Sequence, residues 1–199
     1  MADLWGEIRR RATASPAPRI GLVLAVVIIA LDQVSKWLVL NGLNFSPPGC
    51  LEFQRAEGAA RAALANTCGH IELSPVFDLT MVWNKGVSFG LFGADGPVGR
   101  FILVAFSVAV AALLVAGLLG WGPARATRSL QGIAFGFIIG GAIGNAIDRV
   151  IYGAVADFLN FSDIMFPYVF NIADVGINLG VAAILLDVVL NDRKRESEG

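Results

Sequence analysis

The sequence predicts an all-α membrane protein that has four transmembrane helices and a small β-rich subdomain between the first two helices. Of its 199 residues, 56% are hydrophobic and only 16% are charged, whereas soluble domains carry about 25% charged residues. The mean hydropathy is +0.68. Four stretches reach the length of about 20 apolar residues that a helix needs to cross a bilayer. They divide the chain into an N-terminal tail (1–19), first span (20–40), extramembrane segment (41–99), second span (101–120), loop (121–129), third span (130–149), second extramembrane segment (150–167), fourth span (168–190) and C-terminal tail (191–199).

The basic residues predict that both termini lie in the cytoplasm, because Lys and Arg are enriched in cytoplasmic flanks. If the chain crosses four times, one side receives Arg9, Arg10, Arg11, Arg19, Arg125, Arg128, Arg193, Lys194 and Arg195. The other side has Arg55, Arg61 and Lys85 in a much longer segment. The first span continues into Asp32 and Lys36 without a small-residue cleavage site. It is therefore predicted to be an uncleaved anchor.

The segment 41–99 is predicted to hold the β-rich subdomain. It contains two short runs of β-forming residues, at Ile71–Leu73 and Val76–Val82, and an alanine-rich stretch at Ala56–Ala65 that predicts a short helix. Two strands of this size are marginally stable alone. The segment is therefore expected to lie against the membrane domain.

Composition argues against nucleic-acid binding and against a metal centre. The net charge is −1, and no basic stripe with interleaved aromatic residues occurs. The single histidine, His70, and the two cysteines, Cys50 and Cys68, cannot complete a four-ligand zinc site without carboxylates. No metal or cofactor is expected. The cysteines form a disulfide if their side of the membrane is oxidising, or remain two free thiols.

Charged residues at membrane depth are costly, by about 2.5–3.5 kcal/mol on insertion scales, and usually face a cavity or a partner. Asp32 and Lys36 are four residues apart and share a helix face, which predicts an ion pair. Asn145, Asp148 and Arg149 share a face of the third span through spacings of three and four residues. The preceding sequence GGAIG predicts close approach of another helix, but packing does not explain the polar cluster.

Asp157 and Asp174 are the strongest candidates for chemistry. Each stands in apolar sequence, and the chain returns between them through Pro167, so both are expected at the same outer membrane face. Asn171 and Asn178 flank Asp174 at spacings of three and four, which predicts an inward-facing polar stripe. Two carboxylates about 3 Å apart cannot both ionise easily, so they share a proton and can activate water. From spacing alone, a proton relay or a buried salt bridge explains these aspartates equally well.

Five motifs follow one another along the chain: LDQVSKW (31–37), NKGVSFG (84–90), GGAIGNAIDR (140–149), VADF (155–158) and FNIAD (170–174). In this order, across four apolar spans, they resemble the lipoprotein signal peptidases, also called signal peptidase II. The resemblance covers nearly the whole chain. It implies an aspartic endopeptidase of the bacterial inner membrane, with both termini cytoplasmic and the active site near the periplasmic face.

The resemblance also assigns roles to individual residues. Asp157 and Asp174 would be the catalytic pair. The residues that would bind the substrate are Asn84, Asn145, Arg149 and Asn171. The residues that would support the architecture are Asp32, Lys36 and Asp148, of which Asp148 is also a rival for a catalytic role. The family fold adds a periplasmic β-cradle and a helix covering the site, which suits segment 41–99.

The reaction implied is hydrolysis of the peptide bond before a diacylglyceryl-modified cysteine in a prolipoprotein. The partners implied are these prolipoproteins, membrane lipid and cyclic depsipeptide inhibitors such as globomycin. The chain departs from the family pattern at Val175, where the family usually has serine. The main rival is a proton- or ion-coupled transporter that uses the same carboxylates, and a second is a non-catalytic scaffold. Four spans without a repeat argue against the transporter.

Overall fold

Four long helices and one small sheet make up the part of the chain that the structure describes. The computed structural model describes residues 16–50, 68–86, 97–121, 126–164 and 166–198. The helices are α1 (Ala17–Trp37, continued by a π-helical turn at Leu38–Gly42), α2 (Pro97–Leu118), α3 (Ser129–Ile151) and α4 (Ile172–Glu198). Each contains an apolar window long enough to cross a membrane. The helix predicted at Ala56–Ala65 lies outside the described residues.

Among the described residues, one compact unit contains 16–30, 105–121, 126–145 and 173–198, so it holds parts of all four helices. Its centre is α3, because 61% of the most apolar window of α3 is buried, against 28%, 17% and 22% for α1, α2 and α4. Small residues in α3 permit this position. A Cβ added to Gly140 would lie 2.9 Å from the Ala25 carbonyl oxygen of α1, and one added to Gly141 would overlap the Ala173 carbonyl oxygen of α4.

The second compact unit contains the described residues 31–50, 68–86, 97–104, 146–164 and 166–172. It holds a four-stranded antiparallel sheet in the order β1-β2-β3-β4. The strands are β1 (His70–Ser74), β2 (Phe77–Asn84), β3 (Val155–Phe161) and β4 (Phe166–Phe170), and a 3₁₀ turn (Ser162–Ile164) joins the last two.

One face of the sheet packs on the core of this second unit. The core is formed by Val39, Phe45, Cys50, Met81, Trp83, Ala154, Ala156 and Phe158. Cys50 and Cys68 form a disulfide, with their Cα atoms 4.8 Å apart. The structure therefore selects the disulfide from the two alternatives that the sequence left open.

The sheet corrects the predicted fold class. The protein is not all-α, and half of its sheet comes from the segment between α3 and α4, to which the sequence analysis assigned no strand. Residues 168–170, predicted as the start of the fourth span, belong to β4. The sequence did not predict β3 because a strand that is buried on both faces shows no alternation of apolar and polar residues. Five of the first six residues of β3, starting at Val155, are buried.

A buried carboxylate, Asp78, lies on the sheet at the opposite end of β2 from Asn84. Asp78 pairs with Asn160 across the sheet and is only 5% exposed. Among the described residues, no group hydrogen-bonds its Oδ1. Burial raises the pKa of Asp78, and the neighbouring Asp163 carboxylate raises it further, while His70 acts in the opposite direction.

Candidate active site

Asp157 is held in the sheet by two asparagine side chains. It is 1% exposed, on β3. Asn171, which follows β4, donates from Nδ2 to Asp157 Oδ1 at 2.6 Å. Asn84, the last residue of β2, donates from Nδ2 to Asp157 Oδ2 at 2.9 Å. In the register Val82 is opposite Asp157 and Asn84 is opposite Val155, so Asn84 is a diagonal neighbour of Asp157 on one face.

Asn84 is itself fixed by the turn that follows β2. The backbone N–H of Gly86 donates to Asn84 Oδ1 at 2.8 Å. Gly86 has a φ of +90°, a backbone conformation that favours glycine. A Cβ at Gly86 would also overlap Leu103 and would lie 3.8 Å from Arg149 Nη2. Gly86 therefore combines a special backbone conformation with a crowded position beside a predicted substrate-binding arginine.

Asp174 lies in the first turn of α4 and is half-buried. Asn145 of α3 donates from Nδ2 to Asp174 Oδ1 at 2.8 Å. The contact follows from the α3 sequence, because Gly141 is one turn before Asn145 on the same face and permits the start of α4 to approach. Asn178 is exposed and donates to the Asp174 carbonyl oxygen. The predicted inward-facing polar stripe therefore does not extend to Asn178.

Asp32, Lys36 and Asp148 form one buried ionic cluster. Lys36 Nζ lies 2.8 Å from a carboxylate oxygen of each aspartate. Gln33 donates to both carboxylates, at 3.1 and 3.2 Å. Asp148 Oδ2 also accepts the backbone N–H of Ala156 at 3.0 Å. Asp148 thus contacts the strand residue immediately before Asp157.

The structure brings several predicted site residues into contact. Asn84 and Asn171, predicted to bind substrate, both hydrogen-bond Asp157, and Asn145, also predicted to bind substrate, hydrogen-bonds Asp174. Arg149 is half-buried. Asp157 and Asp174 belong to different compact units.

Sequence reasoning missed three contributions to the site. The NKGVSFG motif predicts no separate role for Gly86. Asn-x-Gly is nevertheless a recognisable turn signal, in which the asparagine side chain forms a hydrogen bond with the backbone two residues further along. The contacts of Gln33 could not be predicted, because side chains at adjacent helix positions such as Asp32 and Gln33 do not normally face each other. The Ala156 backbone donor could not be found from sequence, because main-chain N–H groups carry no residue signature. No group of three or more potential metal ligands occurs in the part of the chain that the structure describes.

Comparison with known proteins identifies the family. A sequence model described as Signal peptidase (SPase) II matches residues 24–190. The chain belongs to the signal peptidase II family. All five sequence motifs lie within the matched residues. As a member of this family the protein is a peptidase, of the aspartic type.

The named relatives of this chain support its assignment to the signal peptidase II family. A lipoprotein signal peptidase of Rhodopseudomonas palustris is 40% identical over 178 residues, covering 86% of this chain and 93% of that protein. One of Caulobacter vibrioides is 43% identical over 179 residues, with coverages of 89% and 91%. One of Methylobacterium radiotolerans is 48% identical over 179 residues, with coverages of 89% and 90%. These relatives do not support the transporter alternative.

Solved structures share the fold of this signal peptidase II chain. A bacterial membrane enzyme matches with a TM-score of 0.64 and 20% identity, covering 86% of this chain and 88% of that one. A second, also a bacterial membrane enzyme, matches with a TM-score of 0.63 and 22% identity, with coverages of 84% and 91%. Together with the four apolar helices, the bacterial family makes the protein a multi-pass protein of the bacterial inner membrane.

Proposed function

We propose that the protein removes the signal peptide from diacylglyceryl-modified prolipoproteins, and that Asp157 and Asp174 are its catalytic pair. Its named relatives are lipoprotein signal peptidases. The observation that carries the proposal is the environment of Asp157, a carboxylate that is almost fully buried yet accepts two amide hydrogen bonds. A buried carboxylate with such support is suited to acid–base work in a site from which water is largely excluded.

The proposed chemistry needs only the two carboxylates and water. One carboxylate takes a proton from water while the water oxygen bonds to the carbonyl carbon of the scissile peptide. The other carboxyl group gives its proton to the carbonyl oxygen. The C–N bond then breaks as one carboxyl group gives its proton to the leaving amine, while a hydroxyl of the tetrahedral intermediate returns its proton to the other carboxylate and the C=O bond re-forms. The amide donors to Asp157 and Asp174 keep each carboxyl group in place during these transfers.

Arg149 and Asn145 are proposed to hold the backbone of the extended substrate, because an apolar signal peptide offers few other polar groups. The lipid chains of the substrate are proposed to remain in the bilayer, and membrane lipid is a further contact of the helices. Cyclic depsipeptides such as globomycin are proposed to occupy the same site. Inhibition of the purified protein by globomycin, lost in Arg149→Leu, tests this part of the proposal.

Both termini are proposed to lie in the cytoplasm and the active site near the periplasmic face. The distribution of Lys and Arg supports this orientation. The Cys50–Cys68 disulfide supports it independently, because disulfides persist in oxidising compartments such as the periplasm. Alkylation of whole cells with and without a reductant tests it: both cysteines should be protected until the reductant is added.

The catalytic pair is tested by following the gel shift of a lipidated reporter prolipoprotein with the purified protein in detergent. Asp157→Asn and Asp174→Asn keep the side-chain shape and should each lower the cleavage rate by about 100-fold or more. Asp163→Asn removes an exposed carboxylate from the turn between β3 and β4 and is the matched control that should cleave at the normal rate. Cleavage that survives both substitutions excludes the pair, and loss of cleavage on chelation, restored by zinc, excludes the metal-free chemistry.

A further inference from the structure

The two amides that contact Asp157 have orientations that can be deduced from backbone groups. An asparagine oxygen and nitrogen are hard to distinguish by shape, so their assignment has to come from hydrogen-bond partners. For Asn84 the partner is the Gly86 N–H, at 2.8 Å. A backbone N–H can only donate, so the atom that faces it must be the amide oxygen. The NH₂ group of Asn84 therefore faces Asp157 Oδ2.

Asn171 is oriented by a backbone group of the opposite polarity. Its Nδ2 lies 3.4 Å from the Ala156 carbonyl oxygen and 2.6 Å from Asp157 Oδ1. A carbonyl oxygen can only accept, so the group beside it must be the NH₂. If the amide were reversed, its contact with the Ala156 carbonyl would become an oxygen–oxygen repulsion. Each oxygen of the Asp157 carboxylate therefore faces an N–H donor.

This arrangement favours the ionised form of Asp157. A protonated carboxyl group has to donate from one of its oxygens, whereas an ionised carboxylate only accepts, and hydrogen bonds to the charged form stabilise it. Hydrogen bonds from amides to a carboxylate are also stronger than those between neutral groups. At 1% exposure, Asp157 gains little stabilisation from bulk water, and the two amide N–H groups stabilise its negative charge.

We infer that Asp157 is the ionised member of the catalytic pair and takes the proton from water, and that Gly86 is a positioning residue that maintains this state through Asn84. The inference rests on the proposed function. In the proposed reaction Asp174 is then the partner that gives a proton to the carbonyl oxygen of the substrate. In this assignment Asn84 and Asn171 stabilise the Asp157 carboxylate, and this role takes the place of the substrate binding that the resemblance implies for them.

Gly86 is required at its position for two reasons. Its φ of +90° is strained for any residue with a Cβ. A Cβ would in addition overlap Leu103. A substitution would shift the Gly86 N–H and release Asn84 Oδ1, after which the amide could rotate and present its oxygen to Asp157. The charge state of Asp157 is thus linked to the backbone conformation two residues beyond β2.

The first experiment measures kcat and KM on the lipidated reporter for three variants. Asn84→Asp keeps an oxygen for the Gly86 N–H but places an oxygen against Asp157, and kcat should fall about 10- to 100-fold with KM within twofold of normal. Gly86→Ala should lower kcat in the same way. Gly120→Ala is the matched control, because Gly120 also has a positive φ, +83°, but follows α2; its kcat should be unchanged.

Opposite outcomes overturn the inference. A raised KM with normal kcat in Asn84→Asp would show that Asn84 binds substrate. Normal kinetics in Asn84→Asp and Gly86→Ala, with Asp157→Asn still inactive, would exclude the inference while leaving the catalytic pair intact. Activity in Asp157→Asn would instead exclude the proposed function itself. These results are therefore distinguishable.

Infrared spectroscopy tests the charge state without relying on activity. The difference spectrum between the normal protein and Asp157→Asn at neutral pH should show loss of a carboxylate band. Loss of a protonated carboxyl band in Asp157→Asn would overturn the assignment.

Discussion

Replacement of Lys36 by methionine removes the cation from the buried cluster that also contains Asp32 and Asp148. Methionine has a similar length and keeps the apolar contacts of the lysine stem, so the change mainly removes charge. Lys36 is 2% exposed, and both aspartates are at most 1% exposed. In the normal protein each carboxylate has an oxygen 2.8 Å from the Lys36 ammonium nitrogen. After the substitution both carboxylates stay buried without that positive charge.

The expected loss of stability follows from burial. Removing one partner of a buried ion pair costs about 3–5 kcal/mol, because a charge is left uncompensated away from water. Lys36 compensates two carboxylates, so we expect a loss toward the upper end of this range. The matched control is Arg128→Met, which breaks the Arg128–Asp187 pair. The Arg128 side chain is 43% exposed, while the Asp187 side chain is 8% exposed and keeps a hydrogen bond from Gln131 at 3.0 Å. Breaking this half-exposed pair should therefore cost less than breaking the fully buried cluster.

The free energy of unfolding is measured by denaturation in detergent micelles, followed by tryptophan fluorescence. Lys36→Met should lose at least about 2 kcal/mol more than Arg128→Met. Adding Asp32→Asn and Asp148→Asn to Lys36→Met should recover part of the loss, since no uncompensated charge then remains in the cluster. Equal losses in the two single variants, or a triple variant no more stable than Lys36→Met, would refute the reasoning.

Three further predictions concern the sheet, the helix packing and the disulfide. Burial raises the pKa of Asp78, so the stability that its protonated form provides is fully present below the unfolded pKa and is lost as pH rises through the folded pKa. Asp78→Asn should therefore raise the melting temperature at pH 7, and this gain should shrink toward pH 4. A difference in melting temperature that does not depend on pH would contradict this. Gly141→Val should destabilise by about 1–3 kcal/mol because its Cβ meets the Ala173 carbonyl oxygen, and an unchanged unfolding midpoint would show that α3 and α4 separate freely. Replacing Cys50 and Cys68 by serine should cost about 3 kcal/mol, as expected for a loop closed over 18 residues; the normal protein should lose a similar amount on reduction, and insensitivity to reduction would exclude this contribution.

The four helices were predictable because hydropathy over about 20 residues reports directly on the bilayer. The Asp32–Lys36 contact was also predictable, since a spacing of four places both side chains on one helix face. The participation of Asp148 in the same cluster was not, because it depends on how α3 meets α1. No local pattern in the sequence contains that information.

The sheet could be predicted from the sequence only in part. The β2 strand was anticipated in part by the run Val76–Val82, but β3 was not, since its residues are buried on both faces and lack alternation. The consequence for the site was direct. Asn84 was expected to line the site, yet its bond to Asp157 depends on the pairing of β2 with β3 and on the turn at Gly86.

The sheet is assembled from two parts of the chain that the ribosome makes far apart. The β1–β2 hairpin ends at Asn84, and its partner β3 begins at Val155, after both α2 and α3 have been synthesised. Until then the outer edge of β2 has no strand to pair with, and Asn84 has no carboxylate to contact. Nascent chains that stop before Asn171 would lack one of the two amides on Asp157. The enzyme is thus expected to gain its activity late in biogenesis, once α3 has entered the bilayer and the strand beyond it has folded back.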